Sequence, residues 1–191
     1  MIRLFASSLF IFYIQFIYAQ PDTLIDPRDN QAYSIIDING IKWFAQNLNF
    51  NTKKSECFED SIIQCGDWGR LYNRKESHVA CPTGWRLPTG EDWNSLDSIN
   101  IFDLLDTSYW KKNFNHTNKT GLSLQPSGIK HRSEFWNQYL SNTIWFDDIN
   151  DKKDNWHLHT HGNNGKDGRT HVFHNHKQLI RIRKFSVRCV Q

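Results

Sequence analysis

The chain has 191 residues, a formal net charge of +3, and 38% hydrophobic residues. Length and charge fit one globular domain burying roughly 70% of its unfolded surface, with the charges nearly balanced and the Lys and Arg mostly scattered. Eight Trp and thirteen Phe supply large apolar area, for a core, a binding surface or both.

Residues 1–19 read as a secretory signal peptide: Arg3 opens a positive n-region, Leu4 to Tyr18 is almost wholly apolar, and Ala19 is small enough to precede cleavage before Gln20. That run is shorter than the roughly 20 residues of a membrane span, so no transmembrane segment is expected in the mature chain. The reading places the protein outside the cytoplasm, secreted or in the cell envelope (extracellular or periplasmic). Four cysteines in an exported chain imply two disulfides with three pairings. The favoured one is Cys57–Cys65, closing a short polar loop, with Cys81–Cys189, tying the middle of the chain to its last strand.

Tyr33 to Phe44 predicts a β-hairpin around Asn39-Gly40, since both residues tolerate the positive φ of a type I′ turn. Ile38 then faces Ile41, Asp37 faces Lys42 and Ile36 faces Trp43, which predicts one apolar face and one carrying an Asp37–Lys42 ion pair. Residues 47–68 read as polar and irregular, and 69–72 as a brief strand or turn. Arg74 to Ala80 predicts a short helix ending near Pro82. A second is expected from Thr89, with Asp92 completing a capping box and Trp93, Leu96 and Ile99 on one face. A further apolar group runs from Ile101 to Trp110. Asn115-His116-Thr117 and Asn118-Lys119-Thr120 are formal glycosylation sequons. Leu122 to Val190 reads as short strands and long loops, with a turn-rich tip at Asn163–Gly168. Arg181, Arg183 and Lys184 read as a solvated strand face rather than a nucleic-acid groove, so no nucleic-acid partner is expected. The expected class is one α+β domain over residues 20–191.

Six blocks stand out: Asp26-Pro27-Arg28-Asp29 with Tyr33, Trp43-Phe44-Ala45-Gln46-Asn47-Leu48, Gly69-Arg70-Leu71-Tyr72, Cys81-Pro82-Thr83-Gly84-Trp85-Arg86-Leu87-Pro88 with Asp92-Trp93, Gly121 to Gly128, and Phe185 to Val190. In this order they resemble the Fibrobacter succinogenes major paralogous domain, a family of exported bacterial domains. The Arg86-to-Trp93 block is also similar to the formylglycine-generating, sulfatase-modifying fold, and the arrangement of Cys81 and the helix near Trp93 to C-type-lectin-like domains. In the latter, a cysteine after the first helix bridges to the last strand, which independently implies Cys81–Cys189. The resemblance implies a C-type-lectin-like, formylglycine-generating-enzyme-like compact domain with short antiparallel strands, two helices and long irregular loops. It carries no established general activity, and the stretch from His157 to His176 departs from the family pattern.

Three constellations are candidates for function. His157, His159 and His161 alternate and share one strand face, and His171, His174 and His176 lie beyond the Asn163–Gly168 tip; converging, they would offer imidazoles to Zn, Cu or Ni. Asp147, Asp148, Asn150, Asp151 and Asp154 supply clustered oxygens of the type calcium prefers, although the lectin triplets and the EF-hand spacing are missing. Trp136, Trp145 and Trp156 are candidates for an aromatic sugar platform. No cofactor is required by any motif; calcium or a transition metal are the two candidates. No catalytic residue is assigned, because no nucleophile elbow or phosphate loop is present, and every cysteine has a structural partner in the favoured pairing. The leading expectation is a secreted, non-catalytic binding or surface-associated module recognising a glycan, polysaccharide or other cell-surface component. The alternatives are a metal-dependent enzyme or metal-binding protein built on the histidine cluster, and a structural envelope protein.

Overall fold

The computed structural model describes residues 22–111, 116–147, 157–161 (backbone only) and 182–191. Its class is α+β. The first sheet is antiparallel, in the order β1 (Asp22–Ile25), β2 (Ala32–Ile38), β3 (Ile41–Phe44). The β2–β3 hairpin has the expected register, with Ile38 opposite Ile41, Asp37 opposite Lys42 and Ile36 opposite Trp43. Asn39 (φ 55°) and Gly40 (φ 82°) make the turn, as the two positive φ values of type I′ require.

The expected division of the hairpin into an apolar and a charged face does not hold. Tyr33, Ile35 and Phe44, on the Asp37–Lys42 face, belong to one buried cluster; Ile38 and Trp43, on the other, belong to a second. The sheet is thus sandwiched between two cores. Asp37 accepts the Gly40 N–H at 2.9 Å, closing the turn, and Lys42 of β3 pairs with Asp22 of β1, across β2, at 3.6 Å.

Three helices follow: α1 (Ile62–Trp68), α2 (Arg74–Ala80) and α3 (Gly90–Asn94). Only α2 and α3 were expected. α1 lies inside the stretch read as irregular because two of its seven residues, Ile62 and Ile63, are apolar yet exposed, and they erase the helical pattern. Its buried residues are Cys65 and Trp68, one turn apart. Gly69 ends α1 at φ 73°; a Cβ there would lie 2.8 Å from the Leu48 carbonyl oxygen, so only glycine fits this crossing. α2 has the expected bounds, and the Asn73 side chain caps it by accepting the Glu76 N–H at 3.0 Å.

α3 has the capping box: Thr89 Oγ1 accepts the Asp92 N–H and Asp92 Oδ2 accepts the Thr89 N–H. It stops sooner than the spacing predicts. Ser95 Oγ donates to the Asp92 carbonyl at 2.6 Å and the chain leaves in tight turns, so Leu96 and Ile99 reach the second core from a turn. The apolar group after it forms a 3-10 turn at Ile101–Asp103 and loop, not a regular element.

The second sheet has the order β5 (Glu134–Gln138), β4 (Ser127–His131), β8 (Arg183–Lys184), and β6 (Ser141–Trp145) pairs antiparallel with β7 (His157–His161). The C-terminal segment joins these parts. Phe185 bridges Tyr72, Ser186 bridges Ile144, and Val190 bridges both Trp43 and Arg86. All six residues from Phe185 to Val190 are buried. At its centre lies Arg188, fully buried. Its guanidinium donates to the carbonyls of Phe44, Leu122 and Ser123 and to Asn47 Oδ1 at 2.9 Å. Burial lowers its pKa to about 9, still above neutral, so it stays protonated.

Both expected disulfides are formed. Cys57–Cys65 closes the loop that holds α1, and Cys81–Cys189 joins the end of α2 to the C-terminal segment.

Candidate functional site: a cationic cleft beside an exposed tryptophan

A cleft of about 1110 Å³ opens between α2, the loop at 53–54, the β4–β5 turn and β8. Ordinary small-molecule sites occupy roughly 300–1,000 Å³. Each wall brings basic residues: Lys53 and Lys54 from the loop, Arg74 and Lys75 from α2, Arg132 from the turn, Arg183 and Lys184 from β8. The one carboxylate among them is Glu76.

Local folding explains how these charges come together. On α2, Ser77 and Ala80 face inward, leaving Lys75, His78 and Val79 outward. Glu76 ties the loop to the helix, accepting the Lys54 N–H at 2.7 Å and the Asn73 amide at 3.0 Å. Arg132 turns the chain at φ 57°, and its N–H donates to the Ile182 carbonyl at 2.8 Å. The β4–β8 register then sets His131 opposite Arg183 and Lys130 opposite Lys184.

The charges fall into two groups. Lys184 pairs with Glu56 at 3.0 Å, and the same carboxylate holds Lys130 at 2.6 Å beneath the wall. Burial alone would raise the Glu56 pKa, but the hydrogen bonds from both lysines outweigh it and hold the carboxyl below its ordinary 4.5. Arg74 is anchored too: it pairs with Asp147 at 2.8 Å and donates to the Phe146 carbonyl. Lys53, Lys54, Lys75 and Arg132 are exposed and form no ion pair among the described residues.

Trp136 lies outside the cleft lining and is linked to it through His131 and Arg183. It is 45% exposed, and its ring stacks on His131 with centroids 5.1 Å apart and planes within 6°. His131 Nδ1 accepts from Arg183 Nε at 3.2 Å. An aromatic face therefore connects through one imidazole to the cleft wall.

The other sequence candidates separate. Trp145 is fully buried, its indole donating to the Tyr72 carbonyl at 2.6 Å, so it is core and offers no sugar platform. Asp147 accepts from Arg74 and lies 3.1 Å from His78 Nδ1; these two partners outweigh its burial and lower its pKa. Its contacted oxygen is already committed within the protein. Asp148, Asn150, Asp151, Asp154 and Trp156 lie outside the described residues, as do His171, His174, His176, the 163–168 tip and the signal region. His157, His159 and His161 occupy alternate positions of β7, opposite Trp145, Thr143 and Ser141. Among the described residues, no group of three or more His, Cys, Asp or Glu is placed to hold a metal ion. No described helix is long and apolar enough to cross a membrane. In the second sequon, Asn118 is engaged: its amide donates to Ser123 Oγ at 2.6 Å and accepts the Ser123 N–H at 2.9 Å.

The cleft itself was missed by sequence reasoning, which took Arg183 and Lys184 for a solvated strand face. The available signal was the recurrence of basic pairs, Lys53-Lys54, Arg74-Lys75 and Arg183-Lys184. Only the fold shows that they converge.

An α+β domain stapled by two disulfides, with its last residues threaded through its centre, is the class the geometry defines. Residues 36–191 match the Fibrobacter succinogenes major domain, and the chain belongs to that family. No curated protein and no solved structure matches the chain.

Proposed function

We propose that the protein is an exported, non-catalytic binding module that recognises glycan chains at or outside the cell envelope. The observation that carries this reading is the open cleft of about 1110 Å³, linked through Arg183 and His131 to the exposed Trp136. The volume suits a segment of a chain better than a single small molecule. An exposed indole offers a flat apolar face to a sugar ring. Two disulfides suit an oxidising compartment, where surface glycans are the accessible ligands. The link from the end of α2 to the C-terminal segment favours a C-type-lectin-like fold, and the apolar run before Gln20 favours export by a cleaved signal.

The test is retention of the purified, oxidised protein on a panel of insoluble and immobilised polysaccharides, repeated with Trp136→Ala. Selective retention that falls by about tenfold in the variant is expected, a loss near 1.4 kcal/mol. Selective retention that Trp136→Ala leaves unchanged removes the aromatic platform from the reading. Failure to retain any polysaccharide overturns the reading itself.

A further inference from the structure

We infer that the ligand is a polyanionic glycan, a chain bearing sulfate, phosphate or carboxylate groups, held along the cleft by charge and gripped at one end by Trp136. This rests on the binding-module reading and adds the chemistry of the ligand.

Four exposed cations of the cleft have no ion-pair partner among the described residues. Several described cations are held by oxygens: Arg28 by Asp26, Arg86 by Asp92, Arg188 by carbonyls, Lys130 and Lys184 by Glu56. Lys53, Lys54, Lys75 and Arg132 have no such ion pair among the described residues, and all four line one cavity. Like charges gathered around a cleft repel one another and raise the local positive potential, which concentrates anions there.

The arrangement suits an extended anion rather than a point charge. The cations without an ion pair sit on three separate segments. Arg74 and Lys184 are committed to Asp147 and Glu56. Spaced cations over a cavity this large match the spaced anionic groups of a polymer. Arg183 and His131 lead from this row to the Trp136 face. An acidic polysaccharide supplies both features in one molecule. Nucleic acid also combines charge with flat rings, but it is not the polymer expected where disulfides persist.

The experiment compares dextran with dextran sulfate, which share a backbone and differ in charge. It uses the oxidised protein and measures affinity across a salt series. Binding of dextran sulfate with little binding of dextran is expected, weakening steeply as salt rises. Lys75→Glu with Arg132→Glu should weaken binding by about tenfold or more and flatten the logarithmic salt slope by about one per contact removed. Thermal unfolding of the variant checks its fold. Lys53→Glu, on a different loop, must shift affinity in the same direction if the double variant unfolds early.

Retention of neutral dextran equal to that of dextran sulfate would overturn the polyanion inference and leave the glycan reading standing. Dextran sulfate affinity unchanged in both charge variants overturns the assignment to this cleft. Equal or tighter binding of duplex DNA sinks the glycan class, and no binding to any polysaccharide removes both proposals together.

Discussion

Arg188 and Arg132 carry the same guanidinium and show two uses of it. Arg188 is fully buried with no carboxylate ion pair among the described residues, and four oxygen acceptors from two segments of the chain, 44–47 and 122–123, surround it. Arg132 is exposed in the lining of a cleft, and among the described residues its hydrogen bond is made by the backbone. Around Arg188 the C-terminal segment bridges β3, Tyr72, Arg86 and β6. Around Arg132 the walls are separate segments with open space between them. In the first region, charge is spent on holding the fold together. In the second it remains available. Substitutions in the centre should therefore act on stability, and those at the cleft on binding.

The largest effect that would test this contrast is loss of Cys81–Cys189. The bridge spans 108 residues and anchors the segment that carries Arg188. The chain-entropy account gives about 4.7 kcal/mol for a loop near 100 residues, against about 2.5 kcal/mol for a loop as short as that of Cys57–Cys65. Denaturant unfolding of Cys81→Ser/Cys189→Ser beside Cys57→Ser/Cys65→Ser should show that order. Equal losses would mean that the C-terminal segment stays seated without its staple. Arg188→Met comes next. It fills much of the volume but leaves three carbonyls and Asn47 Oδ1 without their donor, at a cost of roughly 3–4 kcal/mol. A loss below about 1 kcal/mol would mean that water or a rearranged amide replaces the guanidinium.

The legible parts of this fold are those whose cause is local. The β2–β3 hairpin follows from Asn39-Gly40 and the pairs counted outward from it, and α3 starts where Thr89 and Asp92 can exchange hydrogen bonds. The bounds of α2 follow from its Asn73 cap and from the break at Cys81-Pro82. Harder to read was α1, whose exposed Ile62 and Ile63 run against the helical pattern. Trp145 and Trp136 looked alike in the sequence; one is core and the other surface because β6 is buried along its length and β5 lies at a sheet edge. The cleft was the least legible part. Its cations lie in four segments between residues 53 and 184, brought together by the β4–β8 pairing and by Glu56. No periodicity or spacing within a single segment records that convergence.

Glu56 stands on the border between the two regions, so the smallest expected effect sharpens the comparison most. Its carboxylate holds Lys130 under the cleft wall and Lys184 on it. Its folded pKa lies below the ordinary 4.5. As pH falls, the unfolded chain therefore takes up the proton first, and the stability that Glu56 contributes is present above pH 4.5 and lost as pH drops through the folded value. Asp26, Asp92 and Asp147 are lowered as well and act in the same direction from 3.8 downward. The melting temperature should thus hold steady from neutral pH to about pH 5 and decline below it. Glu56→Gln should cost about 1–2 kcal/mol at pH 7, with the gap from the parent protein closing as pH falls. A gap that stays constant with pH would show that packing, not charge, is what Gln fails to replace. The same variant releases Lys130 and Lys184 from their shared carboxylate. At pH 7 it should therefore bind dextran sulfate more tightly by roughly twofold to fivefold while being less stable, the reverse of what Arg188→Met does to the centre. Weaker binding in Glu56→Gln would mean that the position of Lys184, rather than its free charge, is what the cleft requires of Glu56.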